Sequence, residues 1–164
     1  MLGPTLLRTW VRGTVQTMLH ALPPPPFWIL HIDGSAMPNP GRMAIGAVLT
    51  APDGEAQQLG HMLAGSGCNN EAELRALQAG LQLAHSQGAV CIRIYTDSRW
   101  LLEQLAPSVV QAQRVRATVR LAEHLDAVRH VLQGFSEVQW RWIPRHHNTE
   151  ADALARKAIL TENA

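Results

Sequence analysis

The sequence has few cysteines and no long hydrophobic segment, and both features narrow the classes of protein it can belong to. Its two cysteines, Cys68 and Cys91, form neither a Cys-x-x-Cys pair nor a Cys/His zinc pattern. We interpret both as structural and expect a reduced, cytoplasmic compartment. The longest apolar runs are far shorter than the roughly 20 residues that span a bilayer. We therefore expect no membrane span and no membrane partner.

The sequence also has little net charge. Its 14 basic and 13 acidic residues give a formal net charge of +1. A protein that coats long stretches of duplex is expected to be more basic, because phosphate contacts dominate such binding. Any nucleic-acid binding must therefore use a local patch. The 164 residues, 46% of them hydrophobic and 16% charged, are typical of one globular domain.

The first 26 residues differ in composition from the rest. They contain no acidic residue and end in four consecutive prolines, Pro23 to Pro26, which favour an extended linker. We interpret residues 1–26 as an N-terminal extension or linker, either disordered or produced by a start codon placed too early, with Met18 as the alternative start. Residues 6–22 could instead form a weakly amphipathic basic helix. Residues 27–164 are expected to form the folded domain.

From Phe27 onward, short apolar runs alternate with helical patterns, which predicts an α/β fold. The predicted strands are 27–32, 43–49, 57–63, 91–95 and 138–143, and the first three are expected to form an antiparallel meander. The predicted helices are 71–87, capped by Asn69 or Asn70, then 99–105, 111–132 and 149–160.

Four acidic residues occupy positions that packing alone does not explain. Asp33 and Asp97 each end an apolar strand, and the carboxyl ends of adjacent parallel strands meet at one sheet edge, where α/β proteins bind ligands. Glu73 lies at the border of the apolar stripe of helix 71–87, and Asp152 borders that of helix 149–160. Their neighbours Glu71 and Glu150 fall outside these stripes and are expected to face water.

If the four carboxylates converge, their repulsion requires compensation by positive charge. With oxygen ligands and no cysteine or histidine cage, Mg²⁺ or Mn²⁺ is the natural choice. Two such ions, roughly 3.5–4 Å apart, could hold a phosphodiester. Each acid also has a purely structural interpretation: Asp97 as a helix cap, Asp33 in an Asp-Gly turn, and Asp152 at the start of a helix.

Read with their neighbours, these acids lie in four segments that resemble the ribonuclease H type 1 family. The segments are Ile32-Asp33-Gly34-Ser35 with Asn39-Pro40-Gly41, then Asn69-Asn70-Glu71-Ala72-Glu73-Leu74, then Tyr95-Thr96-Asp97-Ser98, and finally Trp142 to Ala155. The resemblance covers roughly Trp28 to Ile159. It implies a five-stranded mixed sheet, its first three strands antiparallel, flanked by helices, with residues 27–164 as the catalytic domain.

The resemblance also implies a function and a set of site residues. It implies an endoribonuclease that cleaves the RNA strand of RNA/DNA hybrids by a two-metal-ion mechanism, leaving 5′-phosphate and 3′-hydroxyl ends. No obligate protein partner is implied, and a monomer is expected. The implied residues are the metal-binding catalytic acids Asp33, Glu73, Asp97 and Asp152, a loop histidine (His147 by preference, otherwise His146), and the substrate-binding residues Asn39, Asn69, Asn70 and Arg99.

Several positions depart from the family pattern or keep alternatives open. Arg99 stands where many relatives have Gln, which could exchange a sugar contact for a phosphate contact, and Cys68 stands where many have Thr. Asn69 and Asn70 could cap a helix as well as contact RNA. Asn148 could position the histidine loop or cap the last helix. On the predicted helix 111–132, Arg116 and Arg120 share a face that could meet phosphates or only water.

Two other functions remain open at this point. One is a different nuclease on the same fold, such as an exonuclease or a resolvase, because a fold does not fix a substrate. The other is a hybrid-binding module without catalytic activity. The presence of all four acids argues against the second.

Overall fold

In the computed structural model, which describes residues 26–110 and 118–161, strands and helices alternate along the chain. The strands are β1 (Phe27–Met37), β2 (Gly41–Thr50), β3 (Ala56–Gly67), β4 (Cys91–Thr96) and β5 (Glu137–Trp142). The α-helices are α1 (Asn69–Ser86), α2 (Arg99–Leu105), α3 (Val119–Leu132) and α4 (Thr149–Thr161), and a 3₁₀ turn spans Arg145–His147. Apart from Pro26, the N-terminal segment lies outside the described residues.

The five strands form one mixed sheet in the order β3-β2-β1-β4-β5. The pairs β1–β2 and β2–β3 are antiparallel, whereas β1–β4 and β4–β5 are parallel. The prediction of an antiparallel meander extended into a mixed five-stranded sheet is confirmed. The antiparallel strands follow one another through short turns, whereas the parallel strands are joined by segments that contain helices, as parallel pairing requires.

Helices pack on both faces of the sheet, and two glycines show which helix lies on which face. A β-carbon at Gly34 of β1 would collide with the α1 backbone at Ala72, and one at Gly46 of β2 would collide with the α4 backbone at Ala151. Gly46 pairs with Asp33, so these two residues face the same side, while Gly34 faces the other. Helix α1 therefore covers one face and α4 the opposite one.

The apolar stripes predicted for two helices are confirmed. On α1, the four predicted stripe residues are fully buried against the sheet: Leu74, Leu77, Leu81 and Ala84. On α4, three of the four predicted stripe residues, Ala151, Ala155 and Ile159, are buried and Ala158 is half-buried, while Glu150 is exposed as expected. Because burial of apolar area is the main stabilising contribution, these stripes fix how both helices dock, and with them the positions of Glu73 and Asp152.

Strand β1 is longer than predicted, and Asp33 lies inside it rather than at its end. Pairing with β4 stops at His31, opposite Tyr95, but pairing with β2 continues as far as Met37. The apolar pattern ends where the strand loses its second neighbour. Asp33 therefore remains extended while one side of its backbone no longer has a strand beside it.

The prediction that Glu71 faces water is wrong. Its side chain is 3% exposed, and its Oε1 accepts a hydrogen bond of 2.9 Å from Nη2 of Arg120 on α3. The same Arg120 nitrogen donates to the Ser66 carbonyl, and Nε2 of His124 lies 3.8 Å from Glu71. The prediction assumed that α1 packs only against the sheet, but α3 packs against α1 as well. We call Glu71, Arg120, His124 and the Ser66 carbonyl the Glu71 network.

Helix α3 matches the described part of the predicted helix 111–132, of which residues 111–117 lie outside the described residues, Arg116 among them. Its Arg120 is committed to Glu71, so the structure gives this arginine a protein partner. None of the helices in the described ranges is long and apolar enough to cross a membrane.

Candidate active site

The register of β1 and β4 brings Asp33 and Asp97 together. The last registered pair of these parallel strands is His31 with Tyr95, and each aspartate lies two residues further along its strand direction. Equal offsets from a registered pair place both residues at the same level of the sheet. The prediction that the two acids emerge at one sheet edge agrees with this arrangement.

Glu73 reaches the same edge because α1 passes unusually close to β1. At Gly34 there is no room for a β-carbon, which would overlap the backbone of Ala72 and the amide nitrogen of Glu73. Glycine lets the helix backbone approach the strand at the residue next to Asp33. The first turns of α1 are thereby held against the sheet edge, with Glu73 directed toward Asp33.

Three carboxylates meet at this edge. One oxygen from each of Asp33, Glu73 and Asp97 lies within 4.8 Å of the other two. We call these three residues the sheet-edge cluster. Asp33 is only 3% exposed, so the cluster combines burial with like charge, an arrangement that strongly disfavours the ionised forms.

The electrostatics of the cluster follow from that combination. Burial, then the charges of Asp97 and Asp152, raise the pKa of Asp33 to about 7, with Arg145 opposing the shift. Burial, followed by the charges of Asp33 and Asp97, holds the pKa of Glu73 well above its ordinary value. Acids with pKa values shifted in this way, grouped in one place, are typical of functional sites.

The cluster also has unused ligand atoms. Oε2 of Glu73 and Oδ1 of Asp97 are buried and have no hydrogen-bond partner. Buried polar atoms without partners are rare in folded proteins because their desolvation is not repaid. A hard divalent cation would satisfy both atoms and offset the repulsion, and an all-oxygen donor set suits Mg²⁺ or Mn²⁺. The residues present therefore fit the predicted cation site.

The fourth predicted acid, Asp152, lies beside the cluster but is not part of it. The close approach of α4 to Gly46, the partner of Asp33 in β2, places the start of α4 near the sheet edge. Asp152 is near enough for its charge to raise the pKa of Asp33. Its carboxylate, however, pairs with Arg145 at 3.1 Å and with Arg156 at 2.8 Å. Three of the four predicted acids therefore lie together, and the fourth is ion-paired with two arginines.

The histidine loop is fixed to β1 by Asn148. This residue is buried, and its Nδ2 donates a 2.8 Å hydrogen bond to the carbonyl of Ile32, the residue before Asp33. Its Oδ1 has no hydrogen-bond partner, so the side chain does not cap α4. Of the two roles considered for Asn148, positioning the loop is the one that the contacts support.

Both candidate histidines lie on the 3₁₀ turn that precedes Asn148 and are exposed. Their rings pack edge to face with centroids 4.3 Å apart. His147 also lines a small cleft shared with His31 of β1. Because this cleft reaches the strand of Asp33, His147 is the better placed of the two, while His146 remains within the same exposed turn.

The asparagines connect the β1–β2 turn to the start of α1. Oδ1 of Asn39 accepts a hydrogen bond from the Asn69 amide at 3.0 Å, and Oδ1 of Asn69 accepts one from the Ala36 amide at 2.8 Å. The prediction that Asn69 or Asn70 is the cap is wrong, because the cap position is Cys68, whose side chain makes no capping bond. Asn39 instead satisfies an amide at the start of the helix.

At the start of α2, Ser98 rather than Asp97 is the capping residue. Its side chain accepts a hydrogen bond from the Leu101 amide at 3.3 Å. The structural interpretation of Asp97 as a cap is therefore wrong, and its carboxylate is available to the cluster. Arg99, the next predicted substrate contact, is exposed on the first turn of α2.

Sequence reasoning missed two residues of this site, Arg145 and Arg156. Asp152 and Arg156 stand four residues apart on a helix, a spacing at which opposite charges pair, and this could have identified the second arginine. Nothing in the spacing indicates Arg145, because it reaches Asp152 from the 3₁₀ turn.

With this geometry in place, comparison with known proteins gives the family. The family model described as reverse transcriptase-like matches residues 31–158, which include all four acids and the histidine loop. The chain belongs to the reverse transcriptase-like family.

Its relatives include ribonucleases H of type 1, and the resemblance predicted from the sequence is confirmed. Ribonuclease HI of Halobacterium salinarum is 33% identical over an alignment of 135 residues that covers 79% of this chain. The chain spans 62% of the length of that relative. Solved structures of ribonuclease H1 are also similar to this chain.

Two of those structures are informative. Ribonuclease H1 from H. salinarum superposes with a TM-score of 0.73 at 31% identity, covering 84% of this chain and 98% of the other. LC11 ribonuclease H1, solved in complex with an RNA/DNA hybrid, gives a TM-score of 0.73 at 25% identity, with 84% and 99% covered. The ribonuclease H fold is therefore established for the chain.

Proposed function

We propose that this protein is a metal-dependent endoribonuclease that hydrolyses the RNA strand of RNA/DNA hybrids and leaves 5′-phosphate and 3′-hydroxyl ends. The observation that carries the proposal is the sheet-edge cluster: a buried Asp33 with half-buried Glu73 and Asp97, which each keep a buried oxygen without a hydrogen-bond partner, and no salt bridge to any of the three within the described ranges. Support for the substrate comes from a structural neighbour with ribonuclease H1 in its name, solved with an RNA/DNA hybrid.

The proposed catalytic acids are Asp33, Glu73 and Asp97, joined by Asp152. Their oxygens would hold two divalent cations, Mg²⁺ or Mn²⁺, which when bound supply Lewis-acid activation of water and stabilise the leaving oxygen. The protein contributes the arrangement of these acids. Close packing at Gly34 and Gly46 fixes α1 and α4 against the sheet, so the backbone that carries the acids is positioned before any substrate arrives.

The proposed proton-transfer residue is His147, with His146 as the alternative. The turn that carries them is anchored one residue from Asp33 through Asn148, which keeps an exposed imidazole at the mouth of the site. An imidazole can exchange protons near neutral pH. His147 would therefore accept or deliver a proton at the leaving oxygen and assist product departure.

The proposed contacts to the RNA strand are Asn39, Asn69 and Asn70, and Arg99 is the proposed phosphate contact. The Asn39 side chain accepts from the Asn69 amide and the Asn69 side chain accepts from the Ala36 amide, so both are held in a rigid polar rim at the start of α1. Discrimination between RNA and DNA requires recognition of the 2′-hydroxyl. A rigid rim of amide side chains is suited to that recognition.

The proposed catalytic unit is residues 27–164, acting as a monomer in the cytoplasm, with residues 1–26 as an extension. Both cysteines are free, which agrees with a reduced compartment. The domain bounds, the monomeric state and the compartment are proposed independently of the chemistry, so an error in them would leave the proposed reaction unchanged.

The direct test is a gel assay with a labelled 20-mer RNA/DNA hybrid and matched RNA/RNA and DNA/DNA duplexes. We expect cleavage of the hybrid in Mg²⁺ or Mn²⁺, none with chelator, and little cleavage of the other duplexes. Preferential cleavage of DNA/DNA would replace the proposal with another nuclease of this fold. Metal-dependent hybrid binding without cleavage in either metal would indicate a binding module.

A further inference from the structure

Among the proposed catalytic acids in the described residues, Asp152 is the one whose two carboxylate oxygens both pair with arginines. Oδ1 pairs with Nη2 of Arg145 and Oδ2 with Nε of Arg156, at 3.1 and 2.8 Å. The Asp152 side chain is 18% exposed, whereas the two arginine side chains are 66% and 62% exposed. Ion pairs to such exposed arginines are weak, worth about 1 kcal/mol or less each, so Asp152 can leave them at little cost.

The two arginines also share a cleft. A cavity of about 360 Å³ lies between the end of β1, the 3₁₀ turn and α4, and its lining comprises Ser35, Met37, Arg145, Arg156, Ile159 and Leu160. Of these lining residues, two are cationic and none is acidic. The cleft lies beside Asp152 and therefore next to the sheet-edge cluster, and its exposed apolar rim at Met37 and Leu160 leaves its mouth open.

We propose that Arg145 and Arg156 form a binding site for a backbone phosphate of the substrate, a site that Asp152 keeps closed until its carboxylate turns to join the cation site. The inference rests on the proposed function. The charge of the Asp152 carboxylate is neutralised in either position. Without a cation it pairs with the two arginines, and with a cation bound it joins the sheet-edge cluster. The arginines exchange one anion, a carboxylate, for another, a phosphodiester, which guanidinium groups bind through paired N–H donors.

This exchange couples the two sites. A phosphate in the cleft competes with Asp152 for the arginines and releases the carboxylate toward the cluster, so it tightens cation binding. Since coupling between sites is reciprocal, cation binding tightens phosphate binding by the same factor. Without cations the cleft is blocked by its own carboxylate, and the free enzyme then has two fewer cationic groups available for nucleic acid.

The first test is calorimetric titration of Mn²⁺ into the full chain without nucleic acid. Arg156→Gln frees one oxygen of Asp152, so we expect Mn²⁺ to bind about three- to fivefold more tightly. Arg129→Gln removes an equivalent exposed ion pair with Asp126 on α3 and should leave the affinity unchanged. In an Asp152→Asn background the effect of Arg156→Gln should vanish. Persistence of the full effect in that background would reduce it to charge repulsion and overturn the exchange.

The second test is the salt dependence of hybrid binding, measured with Ca²⁺ under conditions in which no turnover is detected and again with EDTA. With Ca²⁺, Arg156→Gln should lower the slope of log K against log salt by about 1, the loss of one phosphate contact. With EDTA the slope should not change, because Asp152 occupies the arginine. An equal change in both conditions, or none in either, would contradict the proposal.

The outcomes separate this inference from the proposed function. If the unmodified protein cleaves the hybrid but Arg156→Gln leaves the Mn²⁺ affinity unchanged, the exchange is contradicted and the proposed nuclease function stands. Absence of hybrid cleavage by the unmodified protein removes the nuclease, whatever the arginine variants show.

Discussion

Two glutamates in the first turns of α1 stand two residues apart and have opposite surroundings. Glu71 is buried with a charged partner: Arg120 donates to it at 2.9 Å and His124 lies near. Glu73 is half-buried beside two further carboxylates, and its buried Oε2 has no hydrogen-bond partner. Both glutamates therefore have a carboxylate oxygen withdrawn from water, and the difference lies in what neutralises the charge.

This difference separates a structural acid from a candidate catalytic one. A buried charge that is paired and hydrogen-bonded holds elements together, here α1, α3 and the end of β3, although such a pair need not add much net stability. A buried carboxylate kept beside like charges destabilises the metal-free fold and persists because something outside the chain completes it. The charge of Glu71 is neutralised within the protein, whereas the proposed function assigns that role at the sheet-edge cluster to a cation.

The largest effect that tests this distinction is on turnover. Asp33→Asn or Asp97→Asn removes a cation ligand, and we expect hybrid cleavage to fall at least about 1,000-fold, or about 4 kcal/mol in activation free energy. Binding of the hybrid should largely persist. Single-turnover assays and equilibrium binding on the same substrate measure both quantities.

The matched control is Glu71→Gln, which removes a buried carboxylate of the same helix outside the cluster. Its turnover should stay within about threefold of the unmodified protein. Near-normal cleavage by both aspartate variants, or an equal loss in Glu71→Gln, would show that the distinction between the two regions is wrong.

The next effect concerns the packing that creates the cluster. Gly34→Ala places a methyl group in the α1 backbone, so we expect a loss of about 3 kcal/mol or more in the free energy of unfolding. Gly60→Ala on β3 is the control, because its β-carbon would lie 3.2 Å from Leu154 and requires only a small shift. Urea denaturation compares the two. Equal stabilities would mean that α1 does not depend on this close approach.

A third effect is a dependence of the free energy of unfolding on pH, which the sheet-edge cluster should cause and the Glu71 network should not. The pKa of Asp33 is raised from 3.8 to about 7, so between these values the folded state binds more protons than the unfolded state. Stability of the metal-free protein should therefore fall as pH rises from about 4 to 7, by on the order of 3 kcal/mol. Glu73, whose pKa is also raised, acts in the same direction.

Urea midpoints measured with EDTA from pH 4.5 to 7.5 give this dependence. Asp33→Asn should flatten it, excess Mg²⁺ should reduce it, and Glu71→Gln should preserve it. A stability that rises over this range in EDTA, with the same rise in Asp33→Asn, would contradict the electrostatics assigned to the cluster.

The smallest effect is on stability: replacing each of the two glutamates by glutamine should change the free energy of unfolding in opposite directions. In EDTA, Glu73→Gln removes repulsion and the cost of burying a charge, so we expect stabilisation by about 1 kcal/mol. Glu71→Gln weakens a charge-assisted hydrogen bond to Arg120 and should destabilise by about 1 kcal/mol. Thermal unfolding at pH 7.5 resolves shifts of this size. Shifts of the same sign would place both glutamates in one class.

Local pattern was sufficient for much of the fold and for part of the site. Alternating strands and helices gave the architecture, and the bounds of α2 agree with the predicted 99–105. Asp33 and Asp97 were predictable because position along adjacent parallel strands fixes where the side chains emerge. Glu73 was predictable from its place beside the apolar stripe of its helix.

What the pattern missed depends on contacts between elements distant in sequence. Glu71 is buried because α3 covers α1, which no periodicity within α1 reveals. The Asn69 amide at the start of α1 finds its hydrogen-bond partner in Asn39, from a turn 30 residues earlier. Asp152 was expected among the acids, but its two carboxylate oxygens pair with Arg145 and Arg156.

The most direct test of the account is Mn²⁺ titration of the full chain at pH 6.5, repeated in buffers of different ionisation enthalpy. The account predicts binding accompanied by proton release, because a cation at the cluster displaces protons held by Asp33 and Glu73. Glu73→Gln should weaken that binding, and Glu71→Gln should not. Absence of Mn²⁺ binding, or binding that Glu73→Gln leaves unchanged, would contradict the claim that these unpaired acids form a cation site.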